Sequence, residues 1–194
     1  MRTVETPRLL LRALTPEVYK KVFTSLSEAE LREFFGCRND AELGEERKKY
    51  EQGLSMYRKS LLIFQMIEKS SGQIIGWCGY HTWYLPHHRA EIGYMISDES
   101  KKGLGYMKEA LPFVLDFGFN EMKLQRVEAL IGPDNVPSLK LVHSMGFVQE
   151  GVLREHYFTN GRFEDSVIFS LLKQDFSWKP LNKREIARES NEQV

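Results

Sequence analysis

Residues 89–111 decide the fold, and they read Arg89-Ala-Glu-Ile-Gly-Tyr-Met-Ile-Ser-Asp-Glu-Ser-Lys-Lys-Gly-Leu-Gly-Tyr-Met-Lys-Glu-Ala-Leu111. Side chains alternate in character from Glu91 to Ile96, which predicts a strand. A helix with one apolar face follows, formed by Met107, Ala110, Leu111, Val114, Leu115 and Gly118. The segment Lys102-Gly-Leu-Gly105 lies between the two. Because a helix N-terminus carries free N–H groups and a partial positive charge, this loop predicts a site for a pyrophosphate-bearing cofactor.

The composition is that of one globular domain. The chain has 194 residues, of which 42% are hydrophobic, so a single well-buried core is expected. Lys and Arg together number 27, as do Asp and Glu, and this balance argues against a general nucleic-acid partner. The two cysteines lie far apart, and the chain lacks both an apolar leader and an apolar run long enough to span a bilayer. We therefore expect a cytoplasmic protein with no membrane partner.

Further strands and helices are predicted on both sides of this unit. Before it, the pattern predicts strands over residues 8–14, 61–69 and 73–83, and helical stretches over residues 17–35, broken at Ser27, and 41–58. After it come a strand over residues 125–132, a helix to Ser144, and strands over 147–158 and 163–172 joined by Asn160-Gly161. The order predicts a mixed α+β fold with one crossover helix after the fourth strand.

Three segments leave their structure or role open. Pro112 lies inside the predicted helix and should remove one hydrogen bond and kink it, but the apolar spacing continues on both sides, so we keep the helix. The charged tail over residues 174–194 is expected to be loosely ordered or to form a peripheral helix. The seven acids between Glu28 and Glu46 form either a solvated helical face or an acidic lip that attracts a cationic amine.

Five motifs follow one another along the chain: Thr6-Pro-Arg-Leu-Leu-Leu-Arg12, Glu91-Ile-Gly-Tyr94, Lys102-Gly-Leu-Gly-Tyr-Met107, Asn135-x-x-Ser138-x-x-Leu141 with Gly146-Phe147, and Glu150-Gly-Val-Leu-Arg154 before the Asn-Gly hairpin. In this order they resemble the GNAT N-acetyltransferases, and most closely the RimJ/RimL-type branch of ribosomal-protein N-terminal acetyltransferases. The resemblance covers residues 3–173 as one domain. It implies a mostly antiparallel, highly twisted sheet of six to seven strands flanked by helices.

The resemblance also implies acetyl-CoA as co-substrate. The family's loop pattern falls on Lys102, which keeps a donor near the phosphates, on Gly105, and on Met107, where the family has a small residue. The other cofactor-binding residues that it implies are Tyr94, Met95, Ile96, Gly103, Leu104, Tyr106, Asn135 and Ser138. A dinucleotide fingerprint would need a further glycine at Lys108, and a Walker loop would need a Gly-Lys-Ser/Thr that is absent. A simple tight turn at the glycines and an ordinary N-cap at Asn135 are the alternatives.

Acetyl transfer to nitrogen requires a neutral amine. At pH 7, deprotonation costs roughly 1 kcal/mol for an α-amine and about 4–5 kcal/mol for a lysine side chain, so a weak base suffices for a protein N-terminus. Glu91 in the central strand is the expected catalytic base, directly or through water, unless it merely pairs with Arg89 or Arg126. By the resemblance, the N–H of Met95 or its neighbour would stabilise the oxyanion.

The proton donor to the CoA thiolate is less evident. Many GNAT enzymes carry a tyrosine four residues after the serine, and this chain has Val142 there, so the donor would be Ser138, Tyr157, His143 or water. Tyr157 also stands where some of this branch carry a carboxylate. A further set of residues either lines the acceptor groove or only packs: Trp83, Tyr84, His87 and Phe158. No His/Cys/Asp set has ligand spacing, so no metal is expected.

The favoured function is acetylation of a protein N-terminus, most simply of a ribosomal protein. One alternative is a polyamine or aminoglycoside acetyltransferase, which is suggested by the acids between Glu28 and Glu46. Another is a non-catalytic regulatory module that binds acyl-CoA, which is suggested by Val142 in place of the family's tyrosine and by Tyr157 in place of a carboxylate. The acceptor, the order of binding and a homodimer are left open.

Overall fold

The computed structural model describes residues 2–51 and 59–178. Within them, the helices are α1 (Pro16–Ser25), α2 (Glu28–Phe35), α3 (Asp40–Glu51), α4 (Tyr106–Asn120) and α5 (Val136–Ser144). The strands are β1 (Thr3–Glu5), β2 (Leu9–Leu14), β3 (Lys59–Glu68), β4 (Ile74–Tyr84), β5 (Arg89–Ile96), β6 (Arg126–Ile131), β7 (Val148–Thr159) and β8 (Arg162–Leu172). The mixed α+β fold is therefore confirmed.

The strands form one sheet in the order β1-β2-β3-β4-β5-β6-β8-β7. The pair β5–β6 is parallel, and the other neighbouring pairs are antiparallel. The sheet has eight strands, one more than the upper count expected from the sequence. The additional strand is β1, whose three residues pair with Leu10 to Arg12 of β2. Three residues are too few to show an alternating pattern.

The helical stretch before α3 is two helices because Ser27 starts a new one. Its hydroxyl accepts from the Glu30 N–H, and the Glu30 carboxylate accepts from the Ser27 N–H, which is a capping box. Gly36 then ends α2 in the left-handed conformation at φ +70°. The second predicted stretch is α3 up to Glu51, and its residues 52–58 lie outside the described part.

The core lies mainly between the sheet and α4. Helix α4 runs unbroken through Pro112, which is buried along with most of its apolar face, so the predicted helix is confirmed. A smaller cluster joins β2 to the three N-terminal helices through Leu14, Tyr19, Val22, Leu31, Phe35 and Leu43. The start of the predicted tail packs on α4, because Phe176 and Trp178 contact Phe119 and Phe113. Residues 179–194 of that tail lie outside the described part. In residues 2–51 and 59–178, no helix is long and apolar enough to cross a bilayer.

The sheet opens between its two parallel strands. The β5–β6 ladder joins only Arg89 to Arg126, Ala90 to Val127 and Glu91 to Glu128. Strand β5 then continues to Ile96, where it is paired with β4 but no longer with β6. The end of the ladder leaves a gap between β5 and β6 beyond Glu91, where backbone groups of β5 have no partner on β6.

Candidate functional site

The glycine loop takes the conformation that its sequence requires. Gly103 and Gly105 have φ values of +74° and +80°, a region that other L-residues enter at a cost of roughly 1–2 kcal/mol. Gly105 is the N-cap of α4 and has no side chain that could accept from the first N–H groups of the helix. Lys102 ends a short 3₁₀ turn and pairs with Glu99 at 2.5 Å on the surface. The loop therefore presents an uncapped helix N-terminus with a lysine beside it.

Glu68 at the end of β3 holds the loop from both sides. Its carboxylate accepts from Lys101 Nζ at 2.8 and 2.9 Å, from the Ser71 hydroxyl at 2.7 Å, and from the hydroxyl of Tyr106. These donors, with Lys101 first, lower the pKa of Glu68 to about 2. Lys101 precedes the glycines and Tyr106 follows them, so one buried carboxylate fixes both ends of the loop. Tyr106 uses its side chain here, which leaves only its backbone for a ligand.

The opening motif of the chain also secures this loop. Arg8 binds the Glu109 carboxylate of α4 with its Nε at 2.7 Å and with its backbone N–H at 2.8 Å. Its Nη1 donates to the Leu104 carbonyl oxygen at 3.1 Å, and its guanidinium lies over the Tyr106 ring at 4.3 Å. The Thr6 hydroxyl donates to the same carboxylate of Glu109 at 2.5 Å. Sequence reasoning treated Thr6 and Arg8 as the beginning of a strand and as part of the first family motif, and it missed this contact.

The start of α5 faces the gap across from β5. Asn135 caps the helix, because its side-chain oxygen accepts from the Ser138 N–H at 3.2 Å. This contact is the one that the N-cap alternative predicts. The hydroxyl of Tyr94 is buried and has no hydrogen-bond partner among the described residues. Burial raises the pKa of Tyr94, and the neighbouring Ser138 hydroxyl partly offsets that rise. Val142 is fully buried, so these two hydroxyls are the polar groups at this wall of the gap.

Glu91 stands where the sheet begins to open. Its register partner is Glu128 on β6, but Arg89 and Arg126 both bind Glu128, at 2.5 and 2.8 Å. Pairing of Glu91 with either arginine, the structural alternative considered above, is therefore not observed. Burial first, and then the charge of Glu128, raise the pKa of Glu91. A carboxylate in this state is a stronger base than an ordinary surface glutamate.

Two β-bulges direct further side chains towards Glu91. In β4, Tyr80 pairs with Ile92 and Thr82 pairs with Glu91, so His81 is the extra residue. Its Nε2 lies 3.5 Å from Glu91 Oε1. Bulges are frequent beside active sites because they re-aim side chains. Sequence reasoning missed His81, since it did not follow the inward-facing positions of the predicted strand past Tyr80.

The second bulge lies in β7. Leu153 pairs with Ser166 and Tyr157 pairs with Glu164, so residues 154–156 span a single residue of β8. The bulge is held by Glu155, at φ +51°, whose N–H donates to Asp165 Oδ1 at 2.8 Å. Tyr157 comes close enough to Glu91 for that charge to add to the rise in its pKa, of which burial is the larger cause. The structure thus brings two of the predicted catalytic residues, Glu91 and Tyr157, together.

His156 belongs to the same cluster and was also missed. Its charge, when present, lowers the pKa of Glu91, and its Nδ1 lies 3.1 Å from the Ser166 hydroxyl. The third predicted catalytic residue, Ser138, lies instead with Tyr94 at the helix-side wall of the gap. Base and proton donor would then act from two sides of the sheet.

The residues predicted to line the acceptor groove are not gathered on one surface. Trp83 pairs with the fully buried Ala90 and packs on the core, so it shares the face that α4 covers and not that of Glu91. Phe158 is 66% exposed and contacts Phe163 at 4.9 Å between ring centroids. Since successive strand residues point to opposite faces, it turns away from the face of Tyr157. Tyr84, whose ring lies under the Arg89 guanidinium at 4.1 Å, is the member that shares the Glu91 face.

The acidic segment neutralises most of its own charge. Five of the seven acids form ion pairs with nearby cations: Asp40 with Arg32, Glu42 with Arg38, Glu45 with Lys48, Glu46 with Lys49, and Glu28 with Arg47. Glu30 serves the capping box at Ser27. The structure therefore favours a solvated helical face over a lip that attracts amines.

Comparison with known proteins agrees with this geometry. The model of the GNAT acetyltransferase domain matches residues 8–148. The uncharacterized N-acetyltransferase p20 of Bacillus licheniformis is 32% identical over 179 residues, which cover 91% of this chain and 99% of p20. Two solved structures at 22% identity share the fold: a ribosomal-protein-S5-alanine acetyltransferase from Vibrio fischeri, with a TM-score of 0.63 over 93% of this chain and 100% of the other, and the spermidine/spermine N-acetyltransferase SpeG from Vibrio cholerae, with 0.65 over 86% and 94%. The family match over most of the chain and the relative aligned almost end to end show that this chain belongs to the GNAT family of acetyltransferases.

Proposed function

We propose that the chain transfers the acetyl group of acetyl-CoA to the α-amine of a protein N-terminus, as the RimJ/RimL-type enzymes do, by direct attack in a ternary complex. The observation that carries the proposal is Glu91, a half-buried carboxylate without an arginine partner at the mouth of the gap. One carboxylate of raised pKa is a base of moderate strength. It matches an α-amine, whose deprotonation at pH 7 costs roughly 1 kcal/mol, better than a primary aliphatic amine, for which the cost is about 4–5 kcal/mol.

The pairing within the acidic segment supports the same acceptor. A polyamine carries several positive charges and is best held by carboxylates that have no other partner. Five acids of α2 and α3, including Glu42 and Glu46, already have cationic partners within the chain. A protein N-terminus carries a single positive charge and needs no such surface.

The residues around the gap fit acetyl-CoA. The loop from Gly103 to Gly105, the uncapped start of α4 at Tyr106 and Met107, and the nearby Lys102 would hold the pyrophosphate. The unpaired backbone of β5 at Tyr94, Met95 and Ile96 would pair with the amides of the pantetheine arm, in the way a ligand adds to a free strand edge. Acetyl-CoA supplies the acetyl group as an activated thioester. Holding both reactants in one gap removes much of the entropic cost of their encounter.

Each catalytic residue then either moves one proton or stabilises one charge. Glu91 takes the proton of the substrate ammonium, directly or through a water, and leaves the nitrogen lone pair free to form the new amide bond. The N–H of Met95 or its neighbour stabilises the negative charge that develops on the carbonyl oxygen. Ser138, with the buried Tyr94 hydroxyl behind it, gives its proton to the sulfur as the C–S bond breaks, and the second proton that the nitrogen loses on becoming an amide restores the hydroxyl. Tyr157 remains a second candidate for that proton.

Thiol release tests the proposal on a panel of acceptors. The panel contains peptides with free N-termini, the same peptides with blocked N-termini but a free lysine, spermidine and an aminoglycoside. We expect turnover on the free N-termini and a kcat about 10²–10⁴-fold lower for Glu91→Gln, with CoA affinity unchanged, because one positioned base contributes that much. Glu164→Gln, which removes an acid paired with Arg162 on the hairpin, is the matched control. Turnover on spermidine alone would show that the acceptor is a polyamine and not a protein N-terminus. Binding of acetyl-CoA without turnover on any amine would show that the chain is a regulatory module and not an enzyme.

A further inference from the structure

His81 occupies a place that the backbone reserves for its ring. A Cβ atom on Gly93 would lie 2.6 Å from His81 Cδ2 and 2.9 Å from Nε2, and 3.1 Å from Trp77 Cη2. The imidazole therefore lies directly over the backbone of β5, two residues beyond Glu91. Only glycine at position 93 leaves room for it there. The bulge in β4 and the glycine in β5 are two independent features that put the ring beside one carboxylate.

The two side chains differ in their access to solvent. The Glu91 side chain is 16% exposed, whereas that of His81 is 37% exposed. The His81 Nδ1 lies 3.1 Å from the Thr82 hydroxyl, which orients the ring and leaves Nε2 for Glu91. A proton on the inner member of the pair can therefore reach water through the outer member.

The surroundings bring the proton affinities of the pair closer together. Burial lowers the pKa of His81 and raises that of Glu91, so the ordinary gap between an imidazole and a carboxyl group narrows. The other charged groups that act on Glu91 are Glu128 on β6, Arg89 on β5 and His156 on β7. Glu128 is held by two arginines, and Tyr157 on β7 is neutral at physiological pH. None of these groups is an outlet for a proton as close to Glu91 as the His81 ring.

We propose that His81 is a positioning and proton-relay residue that returns Glu91 to its basic form during turnover. The proton leaves the substrate ammonium for Glu91, passes from Glu91 Oε1 to His81 Nε2, and is lost from the imidazolium to water. No electrons are exchanged, and both side chains end in their starting states. The proposal rests on Glu91 being the base of the proposed function.

A purely structural role for His81 would fill the space over Gly93 and nothing more. His81→Gln separates the two roles, because glutamine keeps polar bulk beside Glu91 but cannot carry a proton near neutral pH. We expect its kcat to fall about tenfold at pH 7 with the KM for the amine changed less than twofold. Added imidazole buffer should restore most of the loss, because a small base can take the proton from Glu91 in place of the ring. His88→Asn is the control, since Asn tolerates the φ of +48° at that position and the His88 side chain bonds to the Lys123 carbonyl oxygen.

A second measurement uses the free protein and does not depend on catalysis. The imidazole of His81 is titrated by NMR in the unmodified protein and in Glu91→Gln. Removal of the carboxylate charge should shift the His81 midpoint to lower pH by at least half a unit, because the charge of Glu91 favours the imidazolium. An unchanged midpoint, or a His81→Gln variant that keeps the unmodified kcat from pH 6 to 9, would overturn the relay. If the His81 midpoint shifts but Glu91→Gln keeps full activity, the contact between His81 and Glu91 is real, but Glu91 is not the base and the proposed function is wrong in that respect.

Discussion

The substitution Glu68→Gln should weaken both the fold and the binding of CoA, because Glu68 fixes the two ends of the glycine loop. Its carboxylate is 4% exposed and accepts from Lys101, Ser71 and Tyr106. In the folded protein its pKa is about 2, against an ordinary value of 4.5. That difference corresponds to about 3 kcal/mol of stabilisation at neutral pH. Since glutamine can keep the bonds to Ser71 and Tyr106, we expect a loss of about 1–3 kcal/mol.

The sign of the pH dependence follows from the lowered pKa. A group whose pKa falls on folding contributes its full stabilisation above the unfolded value of 4.5 and loses it as the pH drops towards the folded value of about 2. The advantage of the unmodified protein over Glu68→Gln should therefore be constant from pH 6 to 8. At pH 3 it should be smaller by about 2 kcal/mol, because the contribution of the Glu68 charge falls from about 3 to about 1 kcal/mol.

Urea unfolding of both proteins at pH 7 and pH 3 measures this difference. Calorimetry with CoA at pH 7 measures the function of the loop, where we expect an affinity about 3- to 10-fold weaker. The control is Glu45→Gln, whose partner Lys48 lies 2.7 Å away on a solvent-exposed helix, and which should leave the urea midpoint and the CoA affinity unchanged. A stability difference that does not depend on pH would refute the charge argument. Loss of stability with full CoA affinity would refute the connection between Glu68 and the loop.

Two further substitutions probe the same loop from other sides. The double variant Gly103→Glu, Gly105→Glu should keep the fold by circular dichroism and lose most of its CoA affinity by calorimetry, because both positions have positive φ and the added charges repel phosphate; an unchanged affinity would contradict the loop assignment. Arg8→Ala should lower the free energy of unfolding by about 1.5–3 kcal/mol, since Glu109 is left with fewer donors in a half-buried place, and CoA affinity should fall with it. Full stability in Arg8→Lys, which keeps the positive charge but not the guanidinium, would show that the bidentate contact with Glu109 and Leu104 is not what matters.

The elements of the fold could be predicted from the sequence because each has a regular period. The alternation from Glu91 to Ile96 and the apolar face from Met107 onwards are local patterns, and both elements lie where they were expected. Strand β1, which the sequence did not predict, is three residues long and is too short to show an alternating pattern. The acids between Glu28 and Glu46 are evident in the sequence, but their ion-pair partners are not. Those partners depend on how α2 and α3 lie against each other, which the linear sequence does not show.

The contacts that secure the glycine loop could not be predicted for the same reason. Glu68 and Lys101 are 33 residues apart, and Arg8 and Glu109 are 101 residues apart. Each of these residues is a charged side chain in a region of ordinary composition. The resemblance to the GNAT family covers the glycines themselves, whereas the side chains that hold them in place lie just before β2, at the end of β3, in the short turn before the glycines and in the first turn of α4.

The surroundings of Glu91 differ from the rest of the fold because they arise where the regular pattern is interrupted. Next to the bulge in β4, the core residues are Cys78 and Tyr80 before it and Trp83 after it, so the inward-facing positions change there from even to odd numbers. That change is visible in the sequence, and a reader who followed the apolar positions of β4 could have placed an extra residue between Tyr80 and Trp83. Strand β7 offers no such signal, because almost all of its residues are exposed and no apolar period exists to be broken. The histidine that we assign to the proton path thus stands at an interruption that the sequence could have revealed, and His156 stands at one that it could not.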